Sequence, residues 1–120
     1  MAALVLALSA GVAAAATTKA PTETNDEVMH LLKFVQESGC EFNRNNSRHN
    51  AKDAREHLEL KYTTLAKRGL IEKAEDFIER GASQSSMSGQ AYQIRCADGK
   101  SIPSARWLTE ELRMYRGGKK

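Results

Sequence analysis

The two cysteines place the strongest constraint on how this 120-residue chain can fold. A bond between Cys40 and Cys96, the only cysteines, would close a loop of about 57 residues and stabilise a small domain by about 4 kcal/mol. Each cysteine lies where apolar and polar residues alternate, as they do in a β-strand with one buried face. Exported proteins favour a disulfide at such a pair, whereas free buried thiols fit a cytosolic protein better.

Residues 1–16 indicate an exported protein. They contain no charged side chain, are shorter than the ~20 residues of a membrane-spanning helix, and end in an alanine run. Small residues mark signal-peptidase sites, so we predict a signal peptide that is cleaved after Ala15 or Ala16. One usual feature of a signal peptide is missing, since no Lys or Arg precedes the apolar stretch. The alternatives to a cleaved signal are an uncleaved membrane anchor and a core helix. Cleavage would leave a periplasmic protein with no membrane span and a Cys40–Cys96 disulfide.

The charge of the chain makes a nucleic-acid partner unexpected. Its 18 Lys and Arg and 15 Asp and Glu residues give a formal net charge of only +3. The two signs alternate along most of the chain, as on solvated helix faces, whereas nucleic-acid-binding proteins carry a one-sided basic stripe. The basic end that starts at Arg116 is predicted to fray, with residues 117–120 as a disordered tail.

A single domain is predicted at residues 25–116, after a polar linker at residues 17–24. Its first helix is predicted to begin at Asn25 or Asp26 and to end at Gly39, which can adopt the left-handed conformation of a C-terminal cap. The apolar stripe of this helix has the spacing i, i+3, i+4 and i+7. Its members are Val28, Leu31, Leu32 and Val35.

Three further segments have helical periodicity. The second helix is predicted to begin near Asn50, and Arg68–Gly69 is either a corner between helices or part of one long helix. The third helical stretch runs from Leu70 to Gly81. The last helix is predicted to be capped by Ser104 and to use Trp107, Leu108, Leu112 and Tyr115 for packing.

Short strands are predicted around both cysteines. Cys40 shares a strand face with Phe42, and Cys96 shares one with Ile94. Asp98–Gly99 is a tight-turn signal, so residues 100–102 are predicted to return as a strand that ends at Pro103. Asn45–Ser47 is predicted to be a turn. The predicted fold class is α+β, with about four helices packed on a small antiparallel β-sheet and one disulfide.

Several segments together resemble a family of small exported proteins of Gram-negative bacteria, that of the uncharacterised protein YfeK. The resemblance covers most of the mature chain and departs from the family pattern around Lys67–Leu70. It implies export and an α+β domain of unknown function, and it implies no activity. The segments are FVQESGCEFNRNNS, AREHLELKY, Ala74–Ile78, Ser85–Gly89, Tyr92, Arg95, Asp98–Gly99, Trp107–Leu108 and Tyr115–Arg116.

The serine-rich segment SQSSMSG is the candidate binding loop. Neither G-x-S-x-G nor S-x-x-K is present, so the serines are predicted to bond nearby backbone groups and no catalytic residue is assigned. Arg95 could hold a carboxylate or phosphate, or form an ion pair with Asp76 that fixes the loop against the third helix. The candidate binding residues are Asp76, Ser85, Ser86, Ser88 and Arg95.

No metal site and no cofactor are predicted. His49, Asp53 and His57 have the spacing i, i+4 and i+8, but His49 precedes the predicted helix and no fourth ligand is apparent, so they indicate a solvated helix face. The favoured interpretation is a non-enzymatic periplasmic binding module for a protein or a cell-envelope component. The alternative is a small envelope-substrate enzyme, or a small-ligand binder, that uses the Ser83–Arg95 loop.

Overall fold

A computed structural model describes residues 20–118, so the predicted signal peptide and the end of the predicted tail lie outside the described residues. Four helices and a four-stranded antiparallel sheet of order β2-β1-β3-β4 confirm the predicted fold class. None of the helices within residues 20–118 is long and apolar enough to cross a membrane. The elements are α1 (Thr22–Glu37), β1 (Glu41–Arg44), β2 (Ser47–His49), α2 (Ala51–Lys67), α3 (Ala74–Gly81), β3 (Gln93–Arg95), β4 (Ser101–Pro103) and α4 (Ser104–Gly117).

Helix α1 begins earlier than its capping residues indicate. Pro21 occupies the N-cap and the helix starts at Thr22, so the last three residues of the predicted linker form its first turn. Thr24 is buried there, and its hydroxyl donates to the carbonyl of Glu72 at 2.7 Å. Asn25 is not a cap, because its side chain accepts from the Tyr62 hydroxyl at 2.9 Å. All four residues of the predicted apolar stripe are fully buried.

A corner separates α2 from α3. Asn50 caps α2 as predicted, since its side chain accepts from the amide of Asp53. At the other end Gly69 has φ +73°, and its amide donates to Ala66 while the amide of Leu70 donates to Leu65. This pair of bonds is a Schellman motif, which ends a helix. The third helix therefore begins at Ala74 and excludes Leu70 and Ile71, contrary to the prediction.

The sheet is built from two hairpins joined through β1 and β3. Asn45 and Asn46 have φ of 53° and 67°, which is the backbone of a two-residue type I′ turn, and this turn pairs β1 with the unpredicted strand β2. The second hairpin turns at Asp98–Gly99, as predicted. Phe42 lies opposite Ile94 across the centre of the sheet, and both are buried against the helices.

The predicted disulfide joins Cys40 to Cys96. Glu41 pairs with Arg95 in the β1–β3 ladder, so the two cysteines occupy the next pair of opposed positions. Their Cα atoms are 4.3 Å apart, close to the spacing of a non-hydrogen-bonded antiparallel pair. The bond therefore fixes the two central strands at one end of their ladder.

Helix α4 differs from the prediction at both ends. Pro103 is the N-cap, and Ser104 is the first helical residue, with a fully buried hydroxyl that has no partner within residues 20–118. At the other end Arg116 is not frayed. Its guanidinium donates to both carboxylate oxygens of Glu27 on α1, at 2.9 Å each, and to both of Glu75 on α3, at 2.6 and 3.0 Å.

Candidate functional site

Residues 83–91, here called the braced loop, are held by their own serines. The Ser83 hydroxyl donates to the carbonyl of Ile78 in the last turn of α3, which ends at Gly81. Ser85 is buried, with only 3% of the residue exposed. Its hydroxyl accepts hydrogen bonds from the backbone amides of Met87 and Ser88. The backbone adds bonds from the Ser85 amide to Gln90 and from the Gly89 amide to Ser85, both at 2.9 Å. The serines thus satisfy backbone groups, as expected from the sequence.

Asn45 ties this loop to the β1–β2 turn. Its side-chain amide donates to the Ser85 hydroxyl at 3.1 Å, and its carbonyl oxygen accepts from the Ser88 hydroxyl at 2.5 Å. Ser85 and Ser88 are therefore brought together by a residue some 40 positions earlier in the chain. Ser86 remains exposed at the surface.

Met87 projects from the tip of the braced loop. It is 93% exposed, more than the other exposed large apolar residues, Leu60 and Met114. A single exposed apolar residue is ordinary on a protein surface. Met87 differs from Leu60 and Met114 in that it lies on a loop and not on a helix, and hydrogen bonds hold the backbone of that loop beneath it.

The other two candidate binding residues lie elsewhere. Asp76 accepts from the amides of Glu72 and Lys73 at the start of α3, and these backbone bonds lower the pKa of its carboxyl. The loop follows the opposite end of that helix. Arg95 is exposed and opposes Glu41 and Ser101 in the sheet. The expected Asp76–Arg95 ion pair is absent from residues 20–118, because Asp76 is occupied as a helix cap.

A small pocket adjoins the braced loop between the first hairpin and α2. We call it the hairpin pocket. It has a volume of about 30 Å³. Arg44 precedes Asn45, and Tyr92 follows the loop, so the pocket and the loop share their supporting residues. The lining residues are Phe42, Asn43, Arg44, His49, Asp53, Ala54, His57, Leu58 and Tyr92.

Tyr92 links a lysine to a histidine at one side of the hairpin pocket. Its buried hydroxyl accepts from Lys61 Nζ at 3.0 Å and lies 3.3 Å from His57 Nε2. Burial, followed by the positive charges of Arg44, Lys61 and His49, lowers the pKa of His57 to about 4. His57 is therefore neutral at pH 7, and its Nε2 can accept the hydrogen of the Tyr92 hydroxyl.

His49, Asp53 and His57 were expected on a solvated helix face. The structure brings all three to the hairpin pocket, where Asp53 is exposed and the two histidines are half-buried. His49 reaches it from β2, a strand that periodicity did not reveal. No cluster of three or more His, Cys, Asp or Glu residues suited to a metal ion occurs within residues 20–118. The third histidine, His30, is partly buried and stacked on Tyr115, with Nε2 2.6 Å from a Glu111 carboxylate oxygen.

Two features of the structure, one in this site and one outside it, escaped sequence reasoning. Asn45 was assigned only to a turn, although the Asn-Asn dipeptide is a signal for the left-handed backbone of a hairpin turn and so for β2. Arg116 was assigned to a tail, and no local pattern connects it with Glu27, from which it is separated by 89 positions.

Comparison with protein families matches residues 22–116 to a family of unknown function, DUF5329. No curated protein and no solved structure matches the chain. The matched segment begins with the first residue of α1 and ends with Arg116, so it contains all four strands and every contact of the site described above. The chain therefore belongs to the DUF5329 family of unknown function.

Proposed function

We propose that this protein is a non-enzymatic binding module of the bacterial periplasm that docks a partner protein through the braced loop. In this proposal residues 1–16 are a cleaved signal peptide, and the protein is one of the exported YfeK-like proteins of Gram-negative bacteria. The Cys40–Cys96 disulfide is compatible with that compartment, since such bonds persist in oxidising environments.

The observation that carries this proposal is the exposed Met87 on a hydrogen-bonded loop. A flexible, polarizable methionine side chain adapts to apolar pockets of different shapes. Ordering a loop on binding costs free energy, and a loop that is already fixed avoids that cost. The braced loop therefore presents an apolar anchor of the kind that partner proteins bury at the centre of an interface.

The serine hydroxyls do not favour the enzymatic alternative. A nucleophilic serine needs an adjacent base that can take its proton. Ser83 donates to the carbonyl of Ile78 and Ser88 donates to Asn45, neither of which is a base, and Ser85 is buried within the loop. These roles support binding as the function of the loop.

Photo-crosslinking in the periplasm tests the proposal. We expect a photoreactive residue at position 87 to capture one predominant protein, identified by mass spectrometry. The same residue at position 114 is the matched control, because Met114 is also an exposed methionine but lies on α4. Equal capture at both positions, or none at position 87, would contradict docking through the loop. Capture of glycan or lipid would replace the protein partner with an envelope component.

Substitutions inside and outside the braced loop test whether capture at position 87 depends on the loop. Ser85→Ala removes the acceptor for the Met87 and Ser88 amides, so we expect weaker capture at position 87. Ser101→Ala alters an exposed serine of β4, outside the braced loop, and should leave capture unchanged. Arg95→Ala should also preserve capture and change the free energy of unfolding by less than about 0.5 kcal/mol, because Arg95 is exposed on the sheet.

Export has its own test. Protein recovered from the periplasm should have a mature amino terminus near Thr17, which intact-mass measurement would reveal. Replacing Ala13, Ala14, Ala15 and Ala16 with large residues should remove both predicted cleavage sites and retain the longer form. Periplasmic protein that still carried Met1 would refute cleavage while leaving the loop proposal open to its separate test.

A further inference from the structure

The braced loop carries no charge of its own, but two cations adjoin it. None of residues 83–91 is Asp, Glu, Lys or Arg. Lys61 on α2 donates from Nζ to the carbonyl of Gln84, with 3.4 Å between the two atoms. Arg44 directly precedes Asn45, the residue that ties the loop to the β1–β2 turn. A cation therefore adjoins the uncharged loop from each of two elements, α2 and the first hairpin.

No carboxylate neutralises these two cations. Neither Arg44 nor Lys61 forms an ion pair within residues 20–118, whereas Arg48 on the neighbouring strand lies 3.8 Å from a carboxylate oxygen of Glu41. The ammonium of Lys61 contacts only neutral oxygens, those of a loop carbonyl and of the Tyr92 hydroxyl. A charge that has no partner in its own chain keeps its attraction for an opposite charge that another molecule brings to it.

His57 reports the sign of the electrostatic potential beside the loop. Its pKa is lowered to about 4, first by burial and then by the positive charges of Arg44, Lys61 and His49. Asp53 is the one carboxylate among the residues that line the hairpin pocket, and it is exposed to solvent, where salt screens its charge. The half-buried cations therefore determine the sign of the local potential, which is positive.

We propose, on the basis of the docking function proposed above, that the braced loop binds an acidic protein surface. An apolar pocket of that surface receives Met87, and carboxylates around the pocket face Arg44 and Lys61. The buried apolar anchor supplies most of the affinity of such an interface. The charges around the anchor speed the encounter and exclude partners of the same sign. Arg44 and Lys61 therefore select the partner that Met87 holds.

The positive potential at the loop can be measured without a partner. Two nitroxides of similar size, one with a carboxylate and one with an ammonium group, broaden the NMR signals of the groups that they approach. We expect the anionic nitroxide to broaden the Met87 methyl signal at least about twofold more than the cationic one does, and Arg44→Gln should reduce this difference. The Met114 methyl on α4 is the internal control and should respond about equally to both, since Arg113 beside it is paired with Glu110.

Charge reversal tests the partner in the capture experiment at position 87. Arg44→Glu should lower the yield of the predominant adduct about tenfold, because it brings like charges together. Arg106→Glu, a matched change at an exposed position of α4, should lower the yield less than about twofold. Unchanged amide signals of Ser85 and Ser88 show that a variant keeps the loop conformation. Mass spectrometry should find Asp or Glu near the crosslinked residue of the partner, and replacing those carboxylates with Lys should restore capture by the Arg44→Glu variant.

Several outcomes would overturn the acidic partner. Equal broadening of the Met87 signal by the two nitroxides is one, and equal loss of capture in the Arg44→Glu and Arg106→Glu variants is another. Both of these outcomes leave docking of a protein through the braced loop intact. Capture of an anionic lipid or glycan would transfer the recognised charge from a protein to the cell envelope. Absence of capture at position 87 would refute the docking function itself, and the acidic partner with it.

Discussion

Replacing both Cys40 and Cys96 with alanine is expected to lower the free energy of unfolding by about 4 kcal/mol. The bond closes a loop with a sequence separation of 56 residues, and the chain-entropy model gives this value for a loop of that length. Domains of this size are stable by only about 5–15 kcal/mol, so the loss is a large fraction of the total. Urea denaturation of the natural protein and of the double variant measures the difference.

Reduction of the unaltered protein is the control for the cysteine variant. A reducing agent should lower the stability of the native protein by a similar amount and should not affect the double variant. Chemical alkylation supplies a direct check. Two reactive thiols in denatured but unreduced protein would contradict a disulfide in the natural protein.

Arg116→Ala is expected to cost about 2–3 kcal/mol of stability. The change leaves the Glu27 carboxylate, whose side chain is only 7% exposed, without its guanidinium partner. Removing one member of a fully buried ion pair costs about 3–5 kcal/mol, and the 40% exposure of Arg116 reduces that figure through solvent screening. Arg113→Ala, which breaks an exposed pair with Glu110 on the same helix, should cost less than about 1 kcal/mol.

The dependence of stability on acidic pH should test the contact between Arg116 and Glu75. Hydrogen bonding to Arg116 lowers the pKa of Glu75 from 4.5 to about 2. Its contribution to stability is therefore fully present above pH 4.5 and is lost as the pH falls toward 2. The Arg116→Ala variant should lose less stability over that interval than the natural protein does. Parallel stability profiles for the two proteins would show that Glu75 does not depend on Arg116.

The parts of the fold that could be predicted from the sequence are those marked by the spacing of apolar residues or by turn residues. The four apolar residues of α1 recur at helical spacing, and burial of that stripe drives the helix onto the core. The alternation around Ile94 and the Asp98–Gly99 turn specify the second hairpin in the same way. These patterns act over a few residues, so they can be read from the chain without its tertiary structure.

The contacts that sequence reasoning missed join distant segments. Asp76 was paired with Arg95 because both are charged and flank the serine-rich segment. In the structure Asp76 satisfies amides that are three and four residues away, and the short β3 strand carries Arg95 about 10 Å beyond Tyr92. The hairpin pocket depends likewise on β2, which has only three residues and no alternating pattern of burial.

The bond between Arg116 and Glu27 bears on the order in which the native contacts can form, and so on the proposed export. A chain that is threaded amino terminus first presents Glu27 long before Arg116, which follows it by 89 positions. The pairing of β1 with β3 also awaits the later half of the chain. Topologies that depend on such distant contacts fold slowly, because loop closure precedes the stabilising interactions. We therefore expect the native fold to be complete only after α4 is available to pack on α1 and α3.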